Sequence, residues 1–106
     1  MKYIETGRGK LPVNYGMFAL SQYSDERDLS MDEVFSLDMT KMTLMDVMTF
    51  VFIGLKDGAR KAGEECKFSS VEDLLDFADT EPDILGKVMD VFASYQKDKG
   101  ESDKKK

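Results

Sequence analysis

The sequence predicts a mainly α-helical domain of the α+β class, with a β-hairpin at its N-terminus packed on a bundle of four to five helices. Strand-forming residues come first, followed by a glycine-containing turn and alternating apolar residues, as in a hairpin. From residue 15 onward the apolar side chains recur at spacings of three and four, which is typical of amphipathic helices. Serine and threonine precede several of these segments and indicate helix starts.

The predicted hairpin consists of residues 2–6, a turn at residues 7–9, and a second strand in which Leu11 and Val13 alternate. Pro12 has no amide hydrogen for a ladder, so the second strand should be an edge strand or end early. Two strands alone are marginal in water, and we therefore expect the hairpin to lie against helices. No lysine–serine helix start follows the glycines, so we interpret them as a plain turn and not as a phosphate loop.

Five helical segments follow the hairpin. Ser30 and Glu33 form a capping box, in which the serine caps the helix and the glutamate reaches back to it. Thr43 begins the longest helix, and Gly63 ends it. Pro82 is favoured in a first helical turn and introduces the last helix. We predict helices over residues 15–24, 31–37, 43–62 and 71–78, and a last one that opens at residues 80–83.

The longest helix has apolar residues on both sides. At 100° per residue most of them fall on one wide face, but Phe50 and Ile53 fall opposite, among polar residues. We favour the interpretation that another helix covers them, because helices that are apolar all round are usually buried. The alternative is a partner or self-association surface. Met45 and Met48 join this candidate surface because methionine suits adaptable binding sites as well as cores.

The C-terminal end differs in composition from the rest of the chain. Residues 97–106 contain five lysines, three acids and no apolar residue. We therefore expect one folded domain over residues 1–96 and a disordered, charged tail over residues 97–106. The closing lysines leave two interpretations open: a solubilising end, or a run of codons on which ribosomes slip.

Composition limits the classes of function. The chain of 106 residues has no histidine, one cysteine and a net charge of −6. Histidine is the commonest general base and metal ligand, and one cysteine can form neither an internal disulfide nor a zinc site. The acidic charge disfavours a nucleic-acid partner. We predict no catalytic, cofactor-binding or metal site, and a protein that acts by binding other proteins.

Acidic residues between positions 25 and 33 suggest a calcium loop, but their spacing does not fit one. With Asp28 in the first position, Glu33 stands where glycine is needed and Met39 where the closing glutamate is needed. We interpret the segment as a solvated loop and a helix start. The N-terminus has no apolar signal segment, and the most apolar window, residues 44–55, is too short to span a bilayer. We expect a soluble cytoplasmic protein with no membrane partner.

Several motifs follow one another along the chain. Residues 1–5 read MKYIE, and residues 11–15 read LPVNY. Residues 54–63, GLKDGARKAG, end the apolar helix, and SVED at residues 70–73 starts the next. Over about residues 1–96 this order resembles the small tail assembly chaperones of long-tailed bacteriophages and prophages.

The resemblance implies a mostly helical protein of the host cytoplasm that is made during virion assembly and is absent from the finished tail. Such proteins bind the tape measure protein and keep it soluble until tail tube subunits polymerise around it, which makes the tail tube protein a second candidate partner. A long chain with exposed apolar stripes aggregates unless they are covered. Two alternatives stay open: a small acidic prophage regulatory adaptor, and a structural tail or head-completion protein that remains in the particle.

Overall fold

The computed structural model describes the backbone of residues 1–104 and the side chains of residues 1–38 and 40–95. The predicted class is confirmed: a two-stranded antiparallel hairpin is followed by five α-helices, with one 3₁₀ turn before the third. The elements are β1 (Lys2–Thr6), β2 (Gly9–Val13), α1 (Met17–Arg27), α2 (Met31–Phe35), the 3₁₀ turn (Met39–Lys41), α3 (Leu44–Ala62), α4 (Val71–Thr80) and α5 (Asp83–Lys104).

The hairpin pairs Ile4 with Leu11 and ends in the pair Thr6 and Gly9. Gly9 has φ +106°, a conformation that glycine adopts without steric cost. Ile4 and Leu11 are buried on the side that faces the helices. Pro12 lies opposite Tyr3 in a sheet of two strands, both of which are edges, so the prediction of an edge strand is confirmed.

The capping signals placed the starts of α2 and α3 correctly. The Glu33 amide donates to Ser30 Oγ at 3.2 Å and the Ser30 amide to Glu33 Oε1 at 2.9 Å, which is the predicted capping box. The Thr43 hydroxyl accepts from the amide of Asp46 at the start of α3. Gly63 ends α3 in the left-handed conformation, as predicted.

Helix α1 differs from its predicted bounds. We expected residues 15–24, whereas the helix covers Met17–Arg27. The polar segment that we interpreted as a loop forms the last helical turn, because Asp28 takes the left-handed conformation and its amide donates to the carbonyl oxygens of Ser24 and Asp25. Polar composition alone therefore did not mark the helix end.

Helix α5 continues through residues 97–104, where we predicted a disordered tail. Residues 105 and 106, and all side chains from residue 96 onward, lie outside the described part of the chain. The mobility of this segment in solution and a domain boundary at residue 96 therefore stay predictions.

Helix α3 is the centre of the fold, as we expected from its apolar pattern. It contacts β2, α1, α4 and α5, and its residues from Met48 to Ala59 are mostly buried. Phe50 lies in the middle of an aromatic cluster whose rings come from three other parts of the chain. The neighbouring ring centroids, those of Tyr15, Tyr23 and Phe92, lie 4.6, 5.0 and 4.8 Å from that of Phe50.

Candidate functional site

Three of the four candidate surface residues lie inside the protein. Phe50 is 0% exposed, Met48 is 1% exposed, and Ile53 is also buried. In the folded chain Phe50 and Met48 offer no surface to a partner, whereas Ile53 lines a surface pocket of about 250 Å³ with residues of α1 and α3, so the candidate surface stays a prediction. The interpretation that we favoured, in which another helix covers these residues, is confirmed for Phe50, whose ring contacts those of Tyr23 on α1 and Phe92 on α5. Met45 alone of the four is exposed, in the first turn of α3 beside Leu44.

One side of α3 is covered because the chain leaving β2 crosses it at two glycines. A Cβ atom on Gly54 would lie 2.2 Å from the Tyr15 ring, and one on Gly58 would lie 2.2 Å from the carbonyl oxygen of Pro12. The backbone amide of Asn14 donates to the Gly54 carbonyl oxygen at 3.1 Å. Residues four apart share a helix face, so the two glycines provide the close approach together. We call this contact the β2–α3 junction.

A buried polar network closes the β2–α3 junction. Asp57 is 1% exposed; one carboxylate oxygen accepts from Asn14 Nδ2 at 2.9 Å and the other from Arg60 Nη2 at 2.7 Å. The Tyr95 hydroxyl donates to Asn14 Oδ1 at 2.7 Å. Burial, and then the charge of Asp57, raise the pKa of Tyr95 above its ordinary value. Each carboxylate oxygen has a partner, so the network compensates a buried charge and joins the residue after β2 to α3 and α5.

The turn of the hairpin is anchored to helix α4. Arg8 donates from Nη1 and Nη2 to the two carboxylate oxygens of Asp73, each at 3.1 Å, and its guanidinium lies 4.7 Å from the centroid of the Phe68 ring. The hydrogen bond from Arg8 lowers the pKa of Asp73. The predicted hairpin turn is confirmed, but the anchor was missed because Arg8 and Asp73 are distant in sequence.

A surface groove of about 390 Å³ lies between α1 and α2, and we call it the α1–α2 groove. Met17, Met31 and Phe35 form its walls, with side chains that are 63%, 69% and 47% exposed. Leu20 and Val34 are buried and form its floor. Contiguous exposed apolar side chains of this kind mark interaction sites on soluble proteins.

The local sequence explains how the groove forms. Residues 17, 20, 21 and 24 lie at helical spacings and share one face of α1. Asp28 ends α1 in the left-handed conformation, and the Ser30 cap starts α2 immediately afterwards, so the second helix folds back beside the first. The helix that we predicted in this segment rests instead on the spacing of residues 15, 18, 19, 22 and 23. The signal that could have revealed the groove is this second period, which begins at Met17.

The segment that forms the α1–α2 groove is acidic. Residues 17–38 contain six carboxylates and one arginine, a net charge of −5, whereas the whole chain has −6. The arginine, Arg27, is paired with Asp46 on α3. Asp28 and Asp32, at the end of α1 and beside Met31, are both exposed. The segment that forms the groove therefore combines a mostly apolar lining with a negative net charge.

Comparison with protein-family models, with curated proteins and with solved structures found no match to this chain. Among the residues that the structure describes, no helix is both long and apolar enough to cross a membrane.

Proposed function

We propose that this protein is a tail assembly chaperone of a long-tailed bacteriophage or prophage. In the host cytoplasm it binds the tape measure protein and keeps it soluble during tail assembly, without catalysing a reaction. The order of motifs along residues 1–96 supports the family, and the observation that carries the proposed activity is the α1–α2 groove, with its exposed Met17 and Met31.

The lining of the groove suits this client. Methionine is unbranched and polarizable, and it adapts to apolar side chains of different shapes. A tape measure protein, as the resemblance implies, presents many apolar stripes that differ in detail, and flexible methionine-lined surfaces accommodate such variety. Covering the stripes removes the contacts through which the client would aggregate.

Co-expression with the tape measure protein encoded beside this gene tests the proposal. We expect the wild-type chain to raise the soluble fraction of the client and to be recovered with it in a pull-down. The double variant Met17→Ser and Met31→Ser should lose both effects. Leu44→Ser is the matched control, because Leu44 is 65% exposed but lies outside the groove, and it should behave as the wild type.

Two results would contradict the proposal. If the wild-type chain neither binds nor solubilises the tape measure protein, it is not that client's chaperone. If mass spectrometry of purified virions finds the chain in stoichiometric amounts, it is a structural or completion protein and not an assembly factor.

A further inference from the structure

We infer that the α1–α2 groove binds a single amphipathic helix whose apolar stripe is flanked by lysine or arginine. This inference rests on the proposed function for the identity of the client, and it adds the binding mode and the chemistry that the client segment must have.

The dimensions of the groove suit a helix. Its α1 wall runs from Met17 to Ser24, a rise of about 10 Å, which corresponds to two helical turns. Met17 on α1, and Met31 and Phe35 on α2, border a buried apolar floor. An amphipathic helix fills such a groove with residues spaced by three and four, and methionine-rich walls are a known form of this recognition mode.

The negative charge of the segment that forms the groove favours basic residues on the flanks of that helix. Asp28 follows the last residue of α1, Asp32 follows Met31 in α2, and both carboxylates are exposed. Residues 17–38 have a net charge of −5, and their one arginine is paired with Asp46. A helix with basic flanks is attracted to this acidic segment, whereas one with acidic flanks is repelled.

Two other occupants fit the groove less well. Residues 97–106 of this chain are rich in lysine but contain no apolar side chain, so they have nothing to place against the methionines. In a two-fold contact, a second copy of the chain would bring its own acidic segment against that of the first copy. Like charges at such a contact oppose association.

Two synthetic helical peptides test the inference directly. Both carry the same leucine stripe and one tryptophan, but one has lysine and the other glutamate on its polar face. Because the protein has no tryptophan, the emission of the peptide reports binding without interference. We expect the lysine peptide to bind the full chain, with an affinity that falls as salt is raised, and to bind at least about tenfold more tightly than the glutamate peptide.

Paired variants locate the binding site. Met17→Ser with Met31→Ser should weaken the lysine peptide about tenfold, since two buried apolar contacts are lost, while Leu44→Ser should not change its affinity. Asp28→Asn with Asp32→Asn should weaken binding about threefold and reduce its salt dependence, because exposed charge contacts are weak and screened. Asp76→Asn with Asp79→Asn, which removes the same charge from exposed positions on α4, is the control and should leave binding unchanged.

The outcomes separate this inference from the proposed function. If the tape measure protein binds equally well to the wild type and to the methionine double variant, the groove inference is overturned and the chaperone function stands. If the lysine peptide binds in the groove but the tape measure protein does not bind at all, the groove inference stands and the proposed client is wrong.

Two further results bear on the occupant of the groove. Equal binding of both peptides overturns the inference that the client helix has basic flanks. A concentration-dependent dimer that the methionine double variant abolishes identifies a second copy as the occupant.

Discussion

The β2–α3 junction and the α1–α2 groove are two apolar regions of one small domain, and they differ in how tightly they are packed. At the junction, Gly54 and Gly58 let the chain lie directly on α3, and no room is left for even one added carbon atom. At the groove, Met17 and Met31 stand apart and leave about 390 Å³ open to solvent. The comparison teaches that apolar residues complete the fold in one place, while in the other they stay exposed at the surface.

Gly58→Ala should have the largest effect on stability. Its Cβ would lie 2.2 Å from the Pro12 carbonyl oxygen, a backbone atom that cannot swing away. Alanine improves helix propensity by about 1 kcal/mol, but the overpacking should cost about 3 kcal/mol, so urea denaturation should show a net loss. Gly86→Ala is the control, because nothing lies within 4 Å of its Cβ position, and it should gain about 0.5–1 kcal/mol. A stable Gly58→Ala variant would contradict the tight junction.

Asn14→Ala should be the next most harmful change at the junction. It removes the donor to the buried Asp57 and the acceptor for the Tyr95 hydroxyl. We expect the free energy of unfolding to fall by about 1.5 kcal/mol, since an unsatisfied buried group carries its full desolvation cost. Ser21→Ala, on the rim of the groove, serves as the control and should change stability by less than about 0.5 kcal/mol. Equal effects of the two variants would mean that the network contributes nothing.

Tyr15→Phe tests the junction through pH. The Tyr15 hydroxyl donates to the Phe50 carbonyl oxygen at 2.8 Å, and burial raises its pKa well above the ordinary value of 10.0. The folded state holds this proton more tightly than the unfolded state does. The contribution of the Tyr15 hydroxyl to stability is therefore complete below pH 10.0 and is lost as the pH rises from there towards the folded-state pKa. The variant should lose about 1 kcal/mol at neutral pH and show a shallower alkaline decline. Identical alkaline slopes in chemical denaturation would contradict a buried Tyr15.

Met17→Ser with Met31→Ser should have the smallest effect on stability. Both side chains are mostly exposed, so each replacement should change the free energy of unfolding by less than about 0.5 kcal/mol. The measurement is the same urea titration, with circular dichroism to confirm the helical content. A loss comparable to that of Gly58→Ala would show that the groove walls belong to the core, and the contrast between the two regions would disappear.

Much of the local structure could be predicted from short stretches of sequence. The hairpin, the order of the helices, the Ser30 capping box and the end of α3 at Gly63 depend on residues within a few positions of one another. Backbone sterics and capping hydrogen bonds act at that range. The end of α1 was misjudged because it depends on the left-handed conformation of Asp28, which polar composition does not specify.

The sequence by itself determined that α3 carries apolar residues on both sides and is therefore central. Only the tertiary structure decided which apolar residues stay outside. Phe50 is covered because Tyr15, 35 residues away, reaches it across Gly54, whereas Met31, on the short helix α2, is 69% exposed. The physical reason is that burial depends on what lies opposite a side chain, and helical periodicity specifies a face without specifying its neighbour.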